Sequence, residues 1–273
     1  MGGSMSSDIK QKPASDVSSH LNTDPWQHLR GFTRARIALG RVGSSLPTKE
    51  VLDFGMAHAT ARDAVHLALD IDALSHALTA QNFTVVQVES QAKDRSTYLL
   101  RPDLGRQLSE VSRSYLQNFR LSSPIDLLVV VGDGLSSLAV QRHVEPLLAE
   151  MQQYLPATWN MNTVVISTQA RVAIADEIGE YLAAKLVVML IGERPGLSSP
   201  DSLGIYLTYN PKAGLNDADR NCISNVRAEG LSYTAAAKKL MWLAVEATRL
   251  KVSGVGLKDE SDVQEIAVQK VIV

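Results

Sequence analysis

The sequence predicts an α/β protein, a Rossmann-like parallel sheet preceded by a mainly helical N-terminal region. Three observations carry this. Leu186 to Ile191 is an uninterrupted apolar run, the pattern of a strand covered on both faces. Ile125 to Val131 reads as a second buried strand and Thr163 to Ser167 as a further strand, and helical patterns with short connections separate the three. Each run ends in unusual turn chemistry: Gly132-Asp133-Gly134, then Thr168-Gln169-Ala170-Arg171-Val172, then Gly192-Glu193-Arg194-Pro195-Gly196. Carboxyl ends of neighbouring strands are where open α/β sheets bind ligands, so the three turns are expected to converge on one edge.

The elements follow in order. Met1 to Ser4 reads as a cloning remnant ahead of a native Met5, and the polar, aperiodic stretch to about Asn22 as a disordered tail. Asp24-Pro25 suits a helix start, with the helix running to Gly31 or on to Ala38. Arg34, Arg36 and Arg41, bounded by glycines, can hold an anion or form a solvated face paired with nearby acids. Pro47 opens a long helix to about Leu69 with apolar positions Val51, Phe54, Ala57, Ala61, Val65 and Ala68. A second helix, capped by Asp72, carries Leu74, Ala77 and Leu78, and Phe83 to Val88 fits a strand. Pro102-Asp103 starts a helix with Leu108, Val111, Tyr115 and Phe119 on one face. Arg101 and Arg106 are read chiefly as structural ion pairs, with an anion or a partner as the alternative.

Ser122-Ser123-Pro124 marks a change to strand-turn-helix. After the Gly132-Asp133-Gly134 turn, a helix capped by Ser136 or Ser137 carries Val140, Val144, Leu147, Leu148, Met151 and Leu155 as one stripe. A short helix from Ile174 to Ala184 returns to the central strand. A further strand is expected at Ile205 to Tyr209 and a closing helix from Thr234 to about Leu250. Between them lies a loop-rich stretch, Asn210 to Gly230, in which polar residues surround Cys222. The expected division is 1–25 tail, 26–122 helical region, 123–254 Rossmann-like domain and 255–273 C-terminal tail. The tail's apolar Ile266 to Val273 has no account.

Composition narrows the function. With 27 Lys+Arg against 29 Asp+Glu, nucleic acid is not expected as the main partner. The single cysteine forms no intrachain disulfide and fits a reducing compartment. No apolar run approaches the roughly 20 residues of a membrane span, and the N-terminus lacks the pattern of a secretory signal. His58, His66 and His76 lack metal-ligand spacing, and none sits in the Asp-x-His-x-x-Gly arrangement that supplies a lower axial ligand to some corrinoid proteins. The Gly132-Asp133-Gly134 turn lacks the third glycine of a dinucleotide loop, and the next strand ends without a ribose-binding acid. Neither a P-loop nor a nucleophile elbow is present. Cys222 is open to reading as a nucleophile or as a small hydrophobe. The residues alone describe a Rossmann-like binding module with no obvious catalytic set.

Six stretches together carry a resemblance: Arg34 to Gly43, Tyr98 to Arg106, Gly132 to Ser136, Arg171-Val172 with Asp176 to Glu180, Gly192 to Leu197, and Asp219 to Asn225. In order and spacing, across Trp26 to Gly254, they resemble the small (light) subunit of ethanolamine ammonia-lyase. The resemblance implies part of an adenosylcobalamin-dependent radical enzyme that converts ethanolamine to acetaldehyde and ammonia. It implies a large TIM-barrel subunit that supplies the substrate site, and a small subunit, inactive alone, that covers a cobalamin carrying its own base as lower ligand. The family's cobalamin contacts fall on Val172, Glu193 and Cys222. Asp133 and Ser224 are candidates by location only, and Glu193 could instead pair with Arg194 or Arg171. The loop from Glu193 to Cys222 is about one residue shorter than the family pattern, a change that surface loops tolerate. The N-terminus lacks the amphipathic helix that directs some members to a bacterial microcompartment, which favours the cytosol and leaves the compartment open. The competing readings are a stand-alone Rossmann-like enzyme acting on a nucleotide or small phosphate, and a non-catalytic scaffold.

Overall fold

A computed structural model describes residues 21–120 and 123–261. The disordered tail expected up to Asn22 and the apolar Ile266 to Val273 therefore lie outside the described residues, except for Leu21 and Asn22. The chain divides into two compact units, 1–59 and 60–273.

In the first unit β1 (Leu21–Asn22) pairs antiparallel with β2 (Arg41–Val42). Asp24 accepts the Trp26 amide at 2.9 Å, but only a 3-10 turn, Gln27–Gly31, follows where a longer helix was expected. Arg30 pairs with Glu50 at 2.8 Å, and the Arg36 guanidinium lies 5.3 Å from the centre of the Phe54 ring. Helix α1 (Thr48–His66) begins here, and its expected apolar positions Val51 and Phe54 are exposed, as are Leu52 and Met56.

The second unit is built on one sheet. It contains α2 (Ile71–Ala80), β3 (Thr84–Glu89), α3 (Arg95–Leu100), α4 (Glu110–Asn118), β4 (Leu127–Gly132), α5 (Ser137–Tyr154), β5 (Thr163–Thr168), α6 (Ile174–Tyr181), β6 (Leu186–Gly192), β7 (Leu203–Tyr209), β8 (Asn221–Val226) and α7 (Tyr233–Leu250). Strand order is β3-β5-β4-β6-β7-β8. The first four are mutually parallel, whereas β7 runs antiparallel to β6 and β8 antiparallel to β7. The expectation of a parallel sheet is thus corrected to a mixed, mostly parallel one. The link from β6 to β7, residues 193–202, is shorter than the dozen or so residues a parallel crossover needs. β3 comes from the half read as mainly helical yet hydrogen-bonds to β5.

Alternate residues of each strand feed two cores. Leu127, Val129 and Val131 pack with α2, α5 and α7; Leu128 and Val130 pack with α4 and α6. Each fully buried Leu or Val contributes about 1.5–3 kcal/mol against exposure. The expected α5 stripe is buried from Val140 to Met151, and Ser136 caps the helix by accepting the Ala139 amide at 3.2 Å.

Two local expectations are corrected. Asp70, not Asp72, caps α2 by accepting the Ala73 amide at 2.9 Å. In α4, Val111 and Tyr115 are exposed while Ser112 and Leu116 are buried. The Ser112 hydroxyl accepts the Glu89 amide at 2.9 Å, which turns that edge of the helix toward β3. No helix among the described residues is long and apolar enough to cross a membrane.

Candidate functional site

The chain steps from β4 to one side to make β5 and to the other to make β6. Ligands of open α/β sheets bind where winding reverses in this way, outside the carboxyl ends of the strands. Here the turns after β4 and β6 touch backbone to backbone. Leu135 donates its amide to the Gly192 carbonyl at 2.9 Å, and a side chain at Gly192 would meet the Ser136 carbonyl oxygen at 2.0 Å. Gly134 has φ +56, and a Cβ there would lie 2.2 Å from the Gly192 carbonyl oxygen. Only glycine permits both the positive φ and the approach. Ser136 ties in the far end of the β6–β7 loop by donating its hydroxyl to the Pro200 carbonyl at 2.7 Å.

Asp133 organises the neighbouring turn after β5. It is buried, and its carboxylate accepts the Ala170 amide at 3.0 Å and the Gln169 amide at 3.1 Å. Gln169 has a positive φ of 50°, a conformation the two amide bonds help to hold. Arg95 approaches the same carboxylate at 3.4 Å and donates to the Gly134 carbonyl at 2.8 Å. Burial pushes the Asp133 carboxyl above its ordinary range, against the opposing pull of the Ala170 amide, Arg95 and the Gln169 amide. With its oxygens engaged internally, Asp133 shapes the turn and lines neither pocket described below.

Tyr98, from α3, is the second organiser. Two guanidinium groups lie over its buried ring, Arg95 at 4.8 Å and Arg171 at 4.3 Å from the ring centre. Its hydroxyl donates to the Ala170 carbonyl at 3.0 Å. Burial raises the phenol above its ordinary value, so it stays a neutral donor; Arg171 opposes the shift. Arg171 donates its amide to the Gly105 carbonyl at 2.8 Å, which brings the Pro102 to Arg106 turn beside the one carrying Val172.

Two pockets adjoin here, with Arg171, Val172 and Tyr206 as shared lining. The larger, about 850 Å³, lies along the α6 side and includes Cys222, Arg106, Arg113 and Arg220. The smaller, about 420 Å³, includes Tyr98, Gly192, Glu193 and Arg194. The three residues expected from the sequence therefore line one composite recess: Val172 belongs to both pockets, Cys222 to the larger and Glu193 to the smaller.

Glu193 makes neither of the arginine pairs weighed from sequence. One carboxylate oxygen accepts the Ser202 hydroxyl and, at 3.3 Å, the Asn225 amide. The other, Oε1, accepts nothing among the described residues. Cys222 is exposed and lies within a strand, β8, where a loop was expected. It stands opposite Tyr206 in register, with its Sγ 3.4 Å from the Ser224 hydroxyl. Burial raises the Tyr206 phenol above its ordinary value, and Cys222 adds to the shift. Ser224 lines neither pocket. His58, His66 and His76 lie on exposed positions of α1 and α2.

Tyr98 and Tyr206 were not among the expected site residues. Tyr206 sits between Ile205 and Leu207 in a strand, where a tyrosine is indistinguishable from core. Tyr98 opens the dense polar turn at 98–106, and that density was the available signal.

A family model described as the ethanolamine ammonia-lyase light chain matches residues 23–258. Three similar proteins carry the description ethanolamine ammonia-lyase small subunit. One from Pseudomonas fluorescens (strain Pf0-1) is 57% identical over 246 residues, covering 89% of this chain and 90% of its own length. One from Pseudomonas syringae pv. tomato is 53% identical over 262 residues, covering 94% and 91%. One from Pseudomonas aeruginosa (strain PAO1) is 56% identical over 246 residues, covering 89% and 90%.

Proposed function

The chain belongs to the ethanolamine ammonia-lyase light-chain family, and from that premise we propose that its composite recess is the small subunit's share of a cobalamin site. The protein is the small subunit of a carbon–nitrogen lyase that acts as a hetero-oligomer, and its family's enzyme depends on cobalamin. The finer reading is ours: adenosylcobalamin held at the interface with a large catalytic subunit, and ethanolamine converted by radical chemistry to acetaldehyde and ammonia.

The observation that carries the reading is the recess lined by Val172, Glu193 and Cys222 at the switch in strand winding. Its chemistry fits a corrinoid, whose rim bears neutral carboxamides around an apolar macrocycle. Glu193 has one oxygen fixed by Ser202 and the Asn225 amide, leaving Oε1 to accept a carboxamide N–H. Val172, half-buried, supplies apolar contact, and Cys222 adds a small, soft side chain on the neighbouring wall. Adenosylcobalamin, when bound, supplies the radical by cleavage of its cobalt–carbon bond, while the protein orients it and keeps water away. The turns after β4, β5 and β6, locked together by Asp133, Tyr98 and the Gly192 contact, fix the wall.

In this reading residues 123–254 form the Rossmann-like part that carries Val172, Glu193 and Cys222, and 26–122 the region that meets the partner and also lends Tyr98 and the Pro102 to Arg106 turn to the recess. The division is functional and does not break the sheet, since β3 belongs to it. The assembly is proposed to work in the cytosol or in a bacterial microcompartment.

The test is co-expression with the large subunit, purification through a tag on this chain, and titration with adenosylcobalamin. Corrinoid absorption and ethanolamine-dependent acetaldehyde should both require both chains. Glu193→Ala should weaken cofactor retention by about tenfold, the scale of a lost charge-assisted hydrogen bond, while the pair still forms. An assembled pair that takes up no corrinoid refutes the assignment.

A further inference from the structure

The larger pocket has a charge imbalance that Val172, Glu193 and Cys222 do not explain. Four arginines line it: Arg106, Arg113, Arg171 and Arg220. Its two lining acids are already engaged. Glu177 accepts from Arg113 at 2.6 Å and from the Leu108 amide at 2.9 Å, and Asp217 pairs with Arg220 at 2.9 Å. Arg113 also pairs with Glu110, and Arg220 with the buried Asp176. Arg106 and Arg171 remain, and neither forms an ion pair among the described residues.

Arg171 is fixed in place. Its guanidinium is stacked on the buried Tyr98 ring, its amide is bound to Gly105, and its Nε is buried without a hydrogen-bond partner. One Nη donates to the Tyr98 carbonyl at 3.4 Å, and the remaining donors of the guanidinium are left for a planar or tetrahedral oxyanion. Arg106 follows Gly105 directly, so the Gly105–Arg171 bond brings the backbones of the two arginines side by side, and both side chains line the pocket. Two uncompensated arginines, one with an unsatisfied buried donor, mark an anion subsite.

Resting on the cobalamin reading above, we propose that Arg106 and Arg171 bind the phosphodiester of the cofactor's nucleotide tail. Cobalamin's peripheral carboxamides are neutral, and its one peripheral anion is that phosphodiester. The recess then sorts the cofactor's groups by chemistry: the Glu193 carboxylate takes amide donors in the smaller pocket, and the arginine pair takes the anion in the larger. Val172, common to both pockets, marks the passage between them.

The test compares two corrinoids on the co-expressed subunit pair, by visible-absorption titration and independently of turnover. Cyanocobalamin carries the nucleotide tail; dicyanocobinamide lacks its phosphodiester, sugar and base. Arg171→Gln and Arg106→Gln should each weaken cyanocobalamin by about tenfold or more, the scale of a lost charge-assisted hydrogen bond. Cobinamide affinity should stay within twofold, and Arg171→Lys should recover part of the loss. Inorganic phosphate should compete with cyanocobalamin and not with cobinamide. Arg106 is exposed, so its variant keeps the test informative if Arg171→Gln disturbs the Tyr98 stack. Equal losses for both corrinoids, or no loss for either, overturn the proposal. So does phosphate that binds the arginines undisturbed by saturating cyanocobalamin, which would make the subsite one for free phosphate. A wild-type pair that binds neither corrinoid overturns the cobalamin reading itself, and this proposal with it.

Discussion

Replacing Gly192 by alanine tests how the wall of the recess is held. The added methyl would lie 2.0 Å from the Ser136 carbonyl oxygen, 2.6 Å from its carbon and 2.7 Å from the Asp133 carbonyl oxygen. All three atoms are backbone, so no side-chain rotation relieves the clash. Ordinary contact begins near 3.4 Å, so the turns after β4 and β6 must separate by about 1.4 Å, the difference between 3.4 and 2.0. That movement stretches the 2.9 Å bond from the Leu135 amide to the Gly192 carbonyl past its useful range. Overpacking of this kind costs about 1–3 kcal/mol and the lost hydrogen bond about 1 kcal/mol, giving a destabilisation of about 2–4 kcal/mol. Urea denaturation of the purified chain, followed by far-ultraviolet circular dichroism, reads the change as a shift in midpoint at constant slope. Gly55→Ala is the control: it lies within α1 with nothing within 4 Å of the added carbon, so the methyl should stabilise by about 0.5–1 kcal/mol through helix propensity. A Gly192→Ala protein within about 1 kcal/mol of the parent would refute the claim that the two turns are locked through their backbones.

The same measurements address two other places. Arg220 and Asp176 form a buried pair, with burial raising the Asp176 carboxyl and Arg220 opposing the shift. Arg220→Met should cost about 3–5 kcal/mol at neutral pH, and adding Asp176→Asn should recover much of it; equal stability of the two variants would argue against a stranded charge. His143 is buried against the Tyr233 hydroxyl at 2.8 Å, with Asp201 at 3.6 Å and Arg142 close by. Burial lowers its pKa below 6.5, although Asp201 pulls it upward. Because the folded value lies below the unfolded one, its contribution is present above pH 6.5 and is lost as pH falls through the folded value. Stability should therefore decline from pH 7 toward pH 5, and His143→Gln should flatten that slope; an unchanged slope assigns the effect to other groups.

The parts of the fold that were legible in sequence are those whose pattern is filled from within this chain. β4 and β6 read as strands because both faces are covered, and α5 and α7 read as helices because one stripe of each packs on the sheet. Strand direction was not legible in β7, since a strand buried on both faces looks alike running either way. β8 was missed because only Ile223 and Val226 of Asn221 to Val226 are buried, which gives the composition of a loop. In α1 and α4, spacing identified candidate faces, yet Val51, Phe54, Val111 and Tyr115 stay exposed. Spacing shows that a face exists but not that the same chain covers it. At the site, charged and glycine-rich turns announced the edge on which Val172 and Glu193 lie, whereas the choice of those two residues came from the family resemblance. The roles of Asp133 and Tyr98 depend on which amides and guanidinium groups the fold brings to them, and neither is encoded locally.

The strand order also bears on how the protein comes off the ribosome. β3 lies against β5, so Thr84 waits for Thr163, 79 residues later (163 minus 84), before it has a neighbour to bond. The emerging chain must keep this edge from wrong partners while the intervening β4 and α5 are made, and pairings so distant in sequence form slowly. The recess closes later still, because Cys222 on one wall comes from β8, the last strand among the described residues, and α7 must then cover the other face. Any ligand of the whole recess therefore meets it only once β8 has been made, so loading follows the making of the sheet and does not guide it.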